Sequence, residues 1–120
     1  MSLVAKLQLR PPARVALLGV PAPALDLENC AVLPPDQVED ADALIAFALH
    51  SSDLDGPVAA ALTRAADAEK LVWVAYPKAG QLGTDLNRDR LAAGMTARGL
   101  RPVRQIAVDA VWSALRFRSS

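Results

Sequence analysis

The fold is decided by residues 41–76, ADALIAFALHSSDLDGPVAAALTRAADAEKLVWVAY. Residues 41–49 and 71–76 are apolar at almost every position, which predicts two strands that are buried on both faces. The first run is long enough for a helix, but turn-forming residues on both sides of it favour a strand. Two buried strands joined by a helix predict parallel pairing through a right-handed crossover.

The connecting segment has the signals of a helix. Pro57 suits the first helical turn because it lacks a backbone N–H, and Asp55 or Ser52 can cap the turn. The apolar residues that follow recur at helical spacing, at Val58, Ala61, Leu62 and Ala65.

The rest of the chain continues the pattern. A short helix is predicted at residues 3–9, and a second helix at 88–98, capped by Asn87 and stopped by Gly99. Further strands are predicted at residues 13–20, 30–33, 103–108 and 112–118. The last two form an antiparallel hairpin around a turn at Asp109 and Ala110.

These elements predict one domain over residues 1–120. Its fold class is α/β, a three-layer Rossmann-like fold. The sheet is mostly parallel, with about six strands and one antiparallel strand from the C-terminal hairpin. The chain shows no internal repeat, linker or low-complexity segment.

Composition excludes several classes of protein. The 120 residues are 52% apolar, which excludes disorder, and no apolar run reaches the ~18 residues of a membrane span. The N-terminus lacks the apolar region of a signal peptide, so a cytoplasmic location is expected. A single cysteine, Cys30, excludes an internal disulfide, and no spacing of ligand residues suggests a metal.

Charge is unevenly distributed along the chain. Residues 1–60 carry a net charge of −5, and residues 61–120 a net charge of +5. Two halves that attract within one fold, or between two copies, explain this pattern. The alternative is an anion or nucleic-acid patch on the second half. A formal net charge of zero and few aromatic residues argue against nucleic acid as a partner.

The layout resembles a shortened class I methyltransferase (Rossmann-like) fold. Residues 71–76, 88–98, 103–108 and 112–118 match that family's late strand, helix, strand and closing antiparallel strand. The lead-in KLQLRPPARVALLG, at residues 6–19, also resembles the start of such domains. The resemblance implies the strand order 2-1-3-4-6-5.

The chain more narrowly resembles a family of small uncharacterised bacterial proteins, a domain of unknown function. The resembling segments are LVWVAYPKAG (71–80), TDLNRDRL (84–91), GLRPVRQIAVD (99–109) and VWSALRFR (111–118). This resemblance implies membership but carries no function.

The first strand departs from the methyltransferase pattern. That family has a glycine-rich loop at this place, whereas residues 18–23 read LGVPAP and contain one glycine and two prolines. Prolines remove N–H donors from the loop. The acidic residue that the family places after the second strand is represented by Asp36, behind two prolines. The sequence therefore predicts no cofactor.

A candidate ligand site lies at the carboxyl ends of the predicted strands, where open α/β sheets bind ligands. A small anionic or nucleotide-like ligand is expected to meet a possible base, two cations, two carboxylates and an aromatic ring: His50, Lys78, Arg88, Asp85, Asp109 and Trp112. Ser51, Tyr76, Thr84 and Ser113 lie at or near the same predicted edge. No catalytic residue is predicted, since Ser113 lacks the GxSxG elbow of a nucleophile.

Each member also has a purely structural interpretation. Asp85 and Arg88 can pair with each other, Asp109 can stabilise the hairpin turn, and Trp112 can cover the core. His50 can be a hydrogen-bonded edge residue, and Lys78 a solvated loop charge.

Two functions follow from these patterns. The favoured one is a non-enzymatic Rossmann-like domain that acts through a protein partner or as a homodimer. The alternative is a small-molecule site at the carboxyl edge of the sheet, or a degenerate methyltransferase-like protein. An enzymatic activity is not predicted, and no membrane partner is expected.

Overall fold

A six-stranded sheet forms the centre of the computed structural model, which describes residues 2–19, 27–78 and 80–120. The strands are β1 (Arg14–Leu18), β2 (Ala31–Leu33), β3 (Ala43–Phe47), β4 (Leu71–Pro77), β5 (Leu100–Ala107) and β6 (Trp112–Ser119). The described helices are α1 (Leu3–Lys6), α2 (Pro57–Asp67) and α3 (Arg88–Thr96). Short 3-10 turns cover Pro35–Asp40, Ser51–Leu54 and Gln81–Gly83. None of the described helices has the length and apolar character of a membrane span.

The strands lie in the order β2-β1-β3-β4-β6-β5. β2, β1, β3 and β4 pair in parallel, and β6 pairs antiparallel with both β4 and β5. β5 therefore runs in the direction of β4, and β6 is the reversed strand of the described sheet. The predicted α/β class, the mostly parallel sheet and the strand order are confirmed.

The central strands β3 and β4 are buried on both faces. Every residue of β3 is buried, and so is β4 after its first residue. On one face, Leu44 and Val72 pack in a cluster with residues of α2 and α3. On the other face, α1 and the segment after it cover Ile45 and Trp73. The Trp73 indole N–H donates to the Leu7 carbonyl at 3.1 Å, which ties this N-terminal layer to the sheet.

Strand lengths differ from the predicted ones at several ends. The regular pairing of β1 and β3 is shorter than the apolar runs at 13–20 and 41–49, whereas β5 begins at Leu100 rather than at residue 103. Leu100 pairs with Ser119, so the partner strand extends β5 beyond its β-rich sequence. Pro102 is tolerated there because β5 is an edge strand with a register shift after this residue.

The predicted cap of α2 is wrong. Gly56, with φ 68°, is the N-cap residue and supplies no side-chain hydrogen bond. Asp55 instead pairs with the Arg98 guanidinium, and the Ser52 carbonyl accepts the Asp55 N–H at 3.2 Å. Pro57 does occupy the first turn, as expected.

The predicted start of α3 is confirmed, whereas the helix ends at Thr96 rather than at residue 98. The Asn87 side chain accepts the Arg90 N–H at 2.8 Å, and so caps the first turn. Gly99 follows the helix with φ 85°, a conformation that glycine adopts without steric cost.

Ion pairs join the two halves of the chain in part. Arg64 pairs with Glu39 at 2.8 Å, and Arg98 pairs with Asp55, so two basic residues of the second half meet acids of the first. Two other described pairs, Arg14–Asp42 and Arg88–Asp89, each stay within one half. Attraction between the halves therefore accounts for part of the charge asymmetry.

The chain leaves β1 in close contact with the backbone of β3. Gly19 has φ 89°, and a Cβ atom built on it would overlap the carbonyl oxygen of Phe47 and lie 3.2 Å from its carbonyl carbon. Both the backbone conformation and the space therefore require glycine at this position.

We expect Gly19→Ala to destabilise the domain by about 2–5 kcal/mol, since the left-handed conformation costs ~1–2 kcal/mol and overpacking costs ~1–3 kcal/mol. The matched control is Gly94→Ala in α3, where the nearest atom to an added Cβ is Arg98 Nη1 at 3.7 Å. Helix propensity predicts that this control stabilises the domain by up to ~1 kcal/mol. Urea unfolding measures both, and equal midpoints for Gly19→Ala and the parent would contradict the close approach.

Candidate functional site

The carboxyl edge of the sheet gathers several of the predicted site residues. The Lys78 N–H donates to the Val111 carbonyl at 2.7 Å, which places the end of β4 beside the start of β6. The Ala48 N–H donates to the Ala75 carbonyl at 3.0 Å, so β3 ends at the same edge. His50 and Lys78 follow β3 and β4, Trp112 begins β6, and Asp109 lies in the turn between β5 and β6. Their binding of a ligand stays a prediction.

Two carboxylates occupy the backbone donors at the end of β3. Asp53 Oδ2 accepts the N–H groups of Leu49 and His50, each at 3.0 Å. Asp85 accepts the Ser51 N–H on Oδ1 and the Ser51 hydroxyl on Oδ2, both at 3.0 Å. Three consecutive N–H groups of this kind form a cradle for an anion. The chain fills this cradle with its own side chains, so an external anion would have to displace them.

The contact between Ser51 and Asp85 also favours the ionised form of the carboxylate. The backbone N–H of Ser51 lowers the pKa of Asp85, and the Ser51 hydroxyl and the nearby His50 act in the same direction. Thr84 adds a second link, because its hydroxyl donates to the Leu49 carbonyl and accepts the Leu86 N–H. These bonds fasten the loop before α3 to the end of β3.

The expected ion pair between Asp85 and Arg88 is not formed. Arg88 pairs with its neighbour Asp89 at 3.2 Å, whereas Asp85 turns towards Ser51. The Asp85 carbonyl accepts a hydrogen bond from Arg90 Nη1 at 2.9 Å. Arg88 and Asp89 both lie in the first turn of α3, so their pairing is local.

Asp109 and Trp112 have structural roles that the sequence indicated as alternatives. Asp109 Oδ1 accepts the N–H groups of Val111 at 2.8 Å and Trp112 at 2.7 Å, which stabilises the hairpin turn. The Trp112 ring is buried and meets Phe47 edge-on, with ring centroids 5.5 Å apart.

Tyr76 and Ser113 lie opposite each other on β4 and β6, and both are buried. The Tyr76 hydroxyl accepts a hydrogen bond from Gln105 Nε2 at 3.2 Å. Burial is the main reason that the pKa of Tyr76 is raised, so this phenol stays protonated near neutral pH.

The carboxyl end of β1 is not among the predicted ligand-binding positions, and it borders the gap between β1 and β3. The chain passes from β1 to β2 on one side and from β3 to β4 on the other, which makes the β1–β3 gap the switch point of the sheet. Open α/β sheets bind ligands outside the carboxyl ends of the strands at this point. Gly19 and Leu49 follow the two strands there. The implied strand order, read together with Gly19, could have indicated this position.

A groove of about 340 Å³ adjoins the end of β1. Its lining comes from β1, the Pro35–Asp40 turn and α2: Leu18, Gly19, Val38, Pro57, Val58, Ala61 and Arg64. The lining is mostly apolar, with the Arg64–Glu39 pair beside it. Val20, Pro21, Ala22 and Pro23, whose prolines argued against a cofactor, lie outside the described residues. Asp36 is exposed in the turn.

Within the described ranges, His, Cys, Asp and Glu side chains form no cluster that could hold a metal ion. The Cys30 thiol is free and partly buried, beside the cluster of apolar residues under α1.

Comparison with known proteins shows the fold alone. No family model and no curated protein sequence matches the chain, so membership of the small bacterial family stays a prediction. Mitomycin 7-O-methyltransferase MmcR is 24% identical over 78% of this chain and 35% of its own, with a TM-score of 0.52. The dimethyltransferase RosA from Streptomyces davawensis is 13% identical over 90% of this chain and 50% of its own, with a TM-score of 0.54. LepI in complex with SAM is 16% identical over 98% of this chain and 39% of its own, with a TM-score of 0.58.

The chain spans between about a third and a half of the length of these three structures. Its Rossmann-like, methyltransferase-like layout is thereby confirmed. The expected non-enzymatic interaction role receives no support from these likenesses.

The stability of the domain should depend on the ionised form of Asp85. Because the folded-state pKa lies below the ordinary 3.8, the contribution is present above that pH and is lost as the pH falls through the lowered pKa. We therefore expect Asp85→Asn to lose less thermal stability than the parent when the pH falls from about 5 to about 2. Asp36→Asn, a change of an exposed carboxylate, should behave like the parent. An identical pH profile for Asp85→Asn and the parent would show that the Ser51 contact does not stabilise the fold.

Proposed function

We propose that this domain binds a nucleoside-type small molecule, with S-adenosylmethionine as the first candidate, in the crevice between the ends of β1 and β3. The observation that carries the proposal is the close approach of Gly19 to the Phe47 carbonyl at the switch point of the sheet. LepI, whose fold is similar, is described in complex with SAM, and MmcR and RosA are described as methyltransferases.

Gly19 supports the proposal because it lets the backbones of β1 and β3 approach each other closely. The Phe47 carbonyl occupies the space that a Cβ atom of residue 19 would fill, so the ends of β1 and β3 lie close together at the switch point, where open α/β sheets bind ligands. On the β3 side, the loop is held by Asp53 and Asp85, which pre-organises that wall of the crevice. A fixed wall reduces the ordering cost of binding.

The adjoining groove supports an uncharged, largely apolar ligand group rather than a free anion. Its volume of about 340 Å³ lies in the range of small-molecule pockets, and apolar side chains dominate its lining. Glu39, held by Arg64, offers carboxylate oxygens that can accept hydrogen bonds from hydroxyl groups such as those of a ribose. At the end of β3, by contrast, the anion-binding N–H groups are already occupied.

Binding without methyl transfer is the form of the function that this chain supports best. Pro21 and Pro23 cannot donate backbone hydrogen bonds to a ligand, which weakens binding relative to a glycine-rich loop. The chain spans half or less of the length of the three methyltransferase-like structures, so residues that hold a methyl acceptor would have to come from elsewhere. A degenerate methyltransferase-like domain fits both observations.

The test is a thermal-shift and calorimetric titration with S-adenosylmethionine. A Kd of about 0.1 mM would raise the Tm by roughly 5 °C at about 1 mM ligand. Val58→Trp places an indole in the groove and should weaken binding at least about tenfold, a loss of ~1.4 kcal/mol. The matched control, Ala60→Trp, alters an exposed position of the same helix and should bind like the parent.

A parent protein that shows no shift and no heat with this ligand would overturn the proposal. Size-exclusion chromatography with light scattering then measures the oligomeric state, which tests whether the domain acts as a homodimer. A dimer or a larger species would favour self-association.

A further inference from the structure

We infer that the amino edge of the sheet holds a second site, which binds a phosphate group and lies apart from the crevice proposed above. Its centre is a cavity of about 120 Å³ where β4 begins and β6 ends. The cavity is lined by four cations, Lys70, Arg101, Arg116 and Arg118, and by Ala66, Glu69 and Ser119. The lining therefore carries three more positive than negative charges.

Among the described residues, the arginines of this cavity have no acidic partner. In residues 2–19, 27–78 and 80–120, no carboxylate lies within salt-bridge distance of Arg101, Arg116 or Arg118. Glu69 borders the cavity without forming such a pair. Lys70 Nζ donates to the Glu39 carbonyl at 2.8 Å, which leaves its charge unneutralised. Four cations around one cavity make its lining strongly positive, which suits an anionic ligand.

The sheet places like charges directly opposite each other. Arg101 pairs with Arg118, and Arg104 with Arg116, across β5 and β6. Arg116 and Arg118 are two residues apart on one strand, and Arg101 lies directly opposite Arg118, so these three side chains leave the sheet on one face. Like charges in directly opposite positions destabilise a sheet. An arrangement that breaks a rule of folding without local compensation is typical of a functional site.

Arg116 has an unfilled hydrogen-bond position. Its Nη1 donates to Gln8 Oε1 at 2.8 Å, but its Nε is buried and makes no hydrogen bond to any described residue. Burial lowers the pKa of Arg116, and the charges of Arg118 and Arg104 lower it further, which reflects an uncompensated positive potential. A phosphate oxygen is the acceptor that suits the fork of a guanidinium.

The sizes of the cavities limit the ligand. The 120 Å³ cavity admits one phosphate group. Arg116 also borders a larger cavity of about 340 Å³ beside the N-terminal segment, whose apolar lining includes Leu9, Ala13 and Leu71. The phosphate group can therefore be free or carried by a small organic molecule that extends along this second cavity.

The experiment is an isothermal titration of the full chain with sodium phosphate at constant ionic strength, balanced with sodium chloride. Arg116→Gln and Arg118→Gln should each weaken phosphate binding at least about tenfold, because each removes a guanidinium from the cavity. The matched control is Arg90→Gln, at the other edge of the sheet, which should bind phosphate like the parent.

Stability supplies a second measurement, which covers the case of a variant that folds poorly. Without phosphate, Arg118→Gln should have a higher Tm than the parent because it removes repulsion from Arg101 and Arg116. With phosphate, the parent should gain more in Tm than Arg118→Gln. The proposal would be overturned if phosphate raised the Tm of the parent and of Arg118→Gln equally. It would also be overturned if phosphate raised the Tm of the parent no more than sodium chloride at the same ionic strength does.

Phenyl phosphate distinguishes the two sources of the phosphate group. Tighter binding of phenyl phosphate than of inorganic phosphate would indicate an organic phosphate that uses the cavity beside Leu9 and Leu71. Equal binding would indicate free phosphate. Because neither ligand needs the β1–β3 crevice, failure here leaves the S-adenosylmethionine titration unaffected, and the reverse also holds.

Discussion

Burial of β3 and β4 on both faces is the constraint on which the rest of the structure depends. Each strand has apolar residues on both sides of the sheet, so each face needs a covering layer. Helices α2 and α3 cover one face, while the other is covered by a single helical turn and the segment that Trp73 holds through the Leu7 carbonyl. The second layer is thin, and Trp112 and Ala114 of β6 belong to the apolar cluster on that face, while Arg116 follows them towards the amino edge.

Charged side chains have different roles at the two edges of the sheet. At the carboxyl edge, Asp53, Asp85 and Asp109 accept backbone N–H groups, so the carboxylates are used to hold loops together. At the amino edge, the positive charges of Arg116 and Arg118 repel each other, and no described acidic side chain pairs with either of them. An anion is therefore more easily accommodated at the amino edge, although open α/β sheets usually bind ligands at the carboxyl edge. The crevice beside Gly19 suits a ligand that is bound by shape and apolar contact.

Much of the candidate site at the carboxyl edge could be predicted as a location, but not as a set of contacts. The strand pattern placed His50, Lys78 and Trp112 at one edge, and the structure agrees. The predicted pairing of Asp85 with Arg88 was wrong. The actual partner of Asp85 is Ser51, which lies 34 residues away in the chain, and no local pattern relates the two. The cap of α2 was wrong for a related reason, since Asp55 is taken by Arg98, 43 residues further along the chain.

The sequence by itself determined the strands, the helices and their order, because apolar runs, prolines and caps act over a few residues and need no distant partner. It also determined the charge asymmetry between the halves. The tertiary structure alone decided that Gly19 meets Phe47 and that Lys70, Arg101 and Arg118 surround one cavity. Such contacts depend on strand register and on the crossing of distant segments, and short-range patterns in the chain carry no information about either.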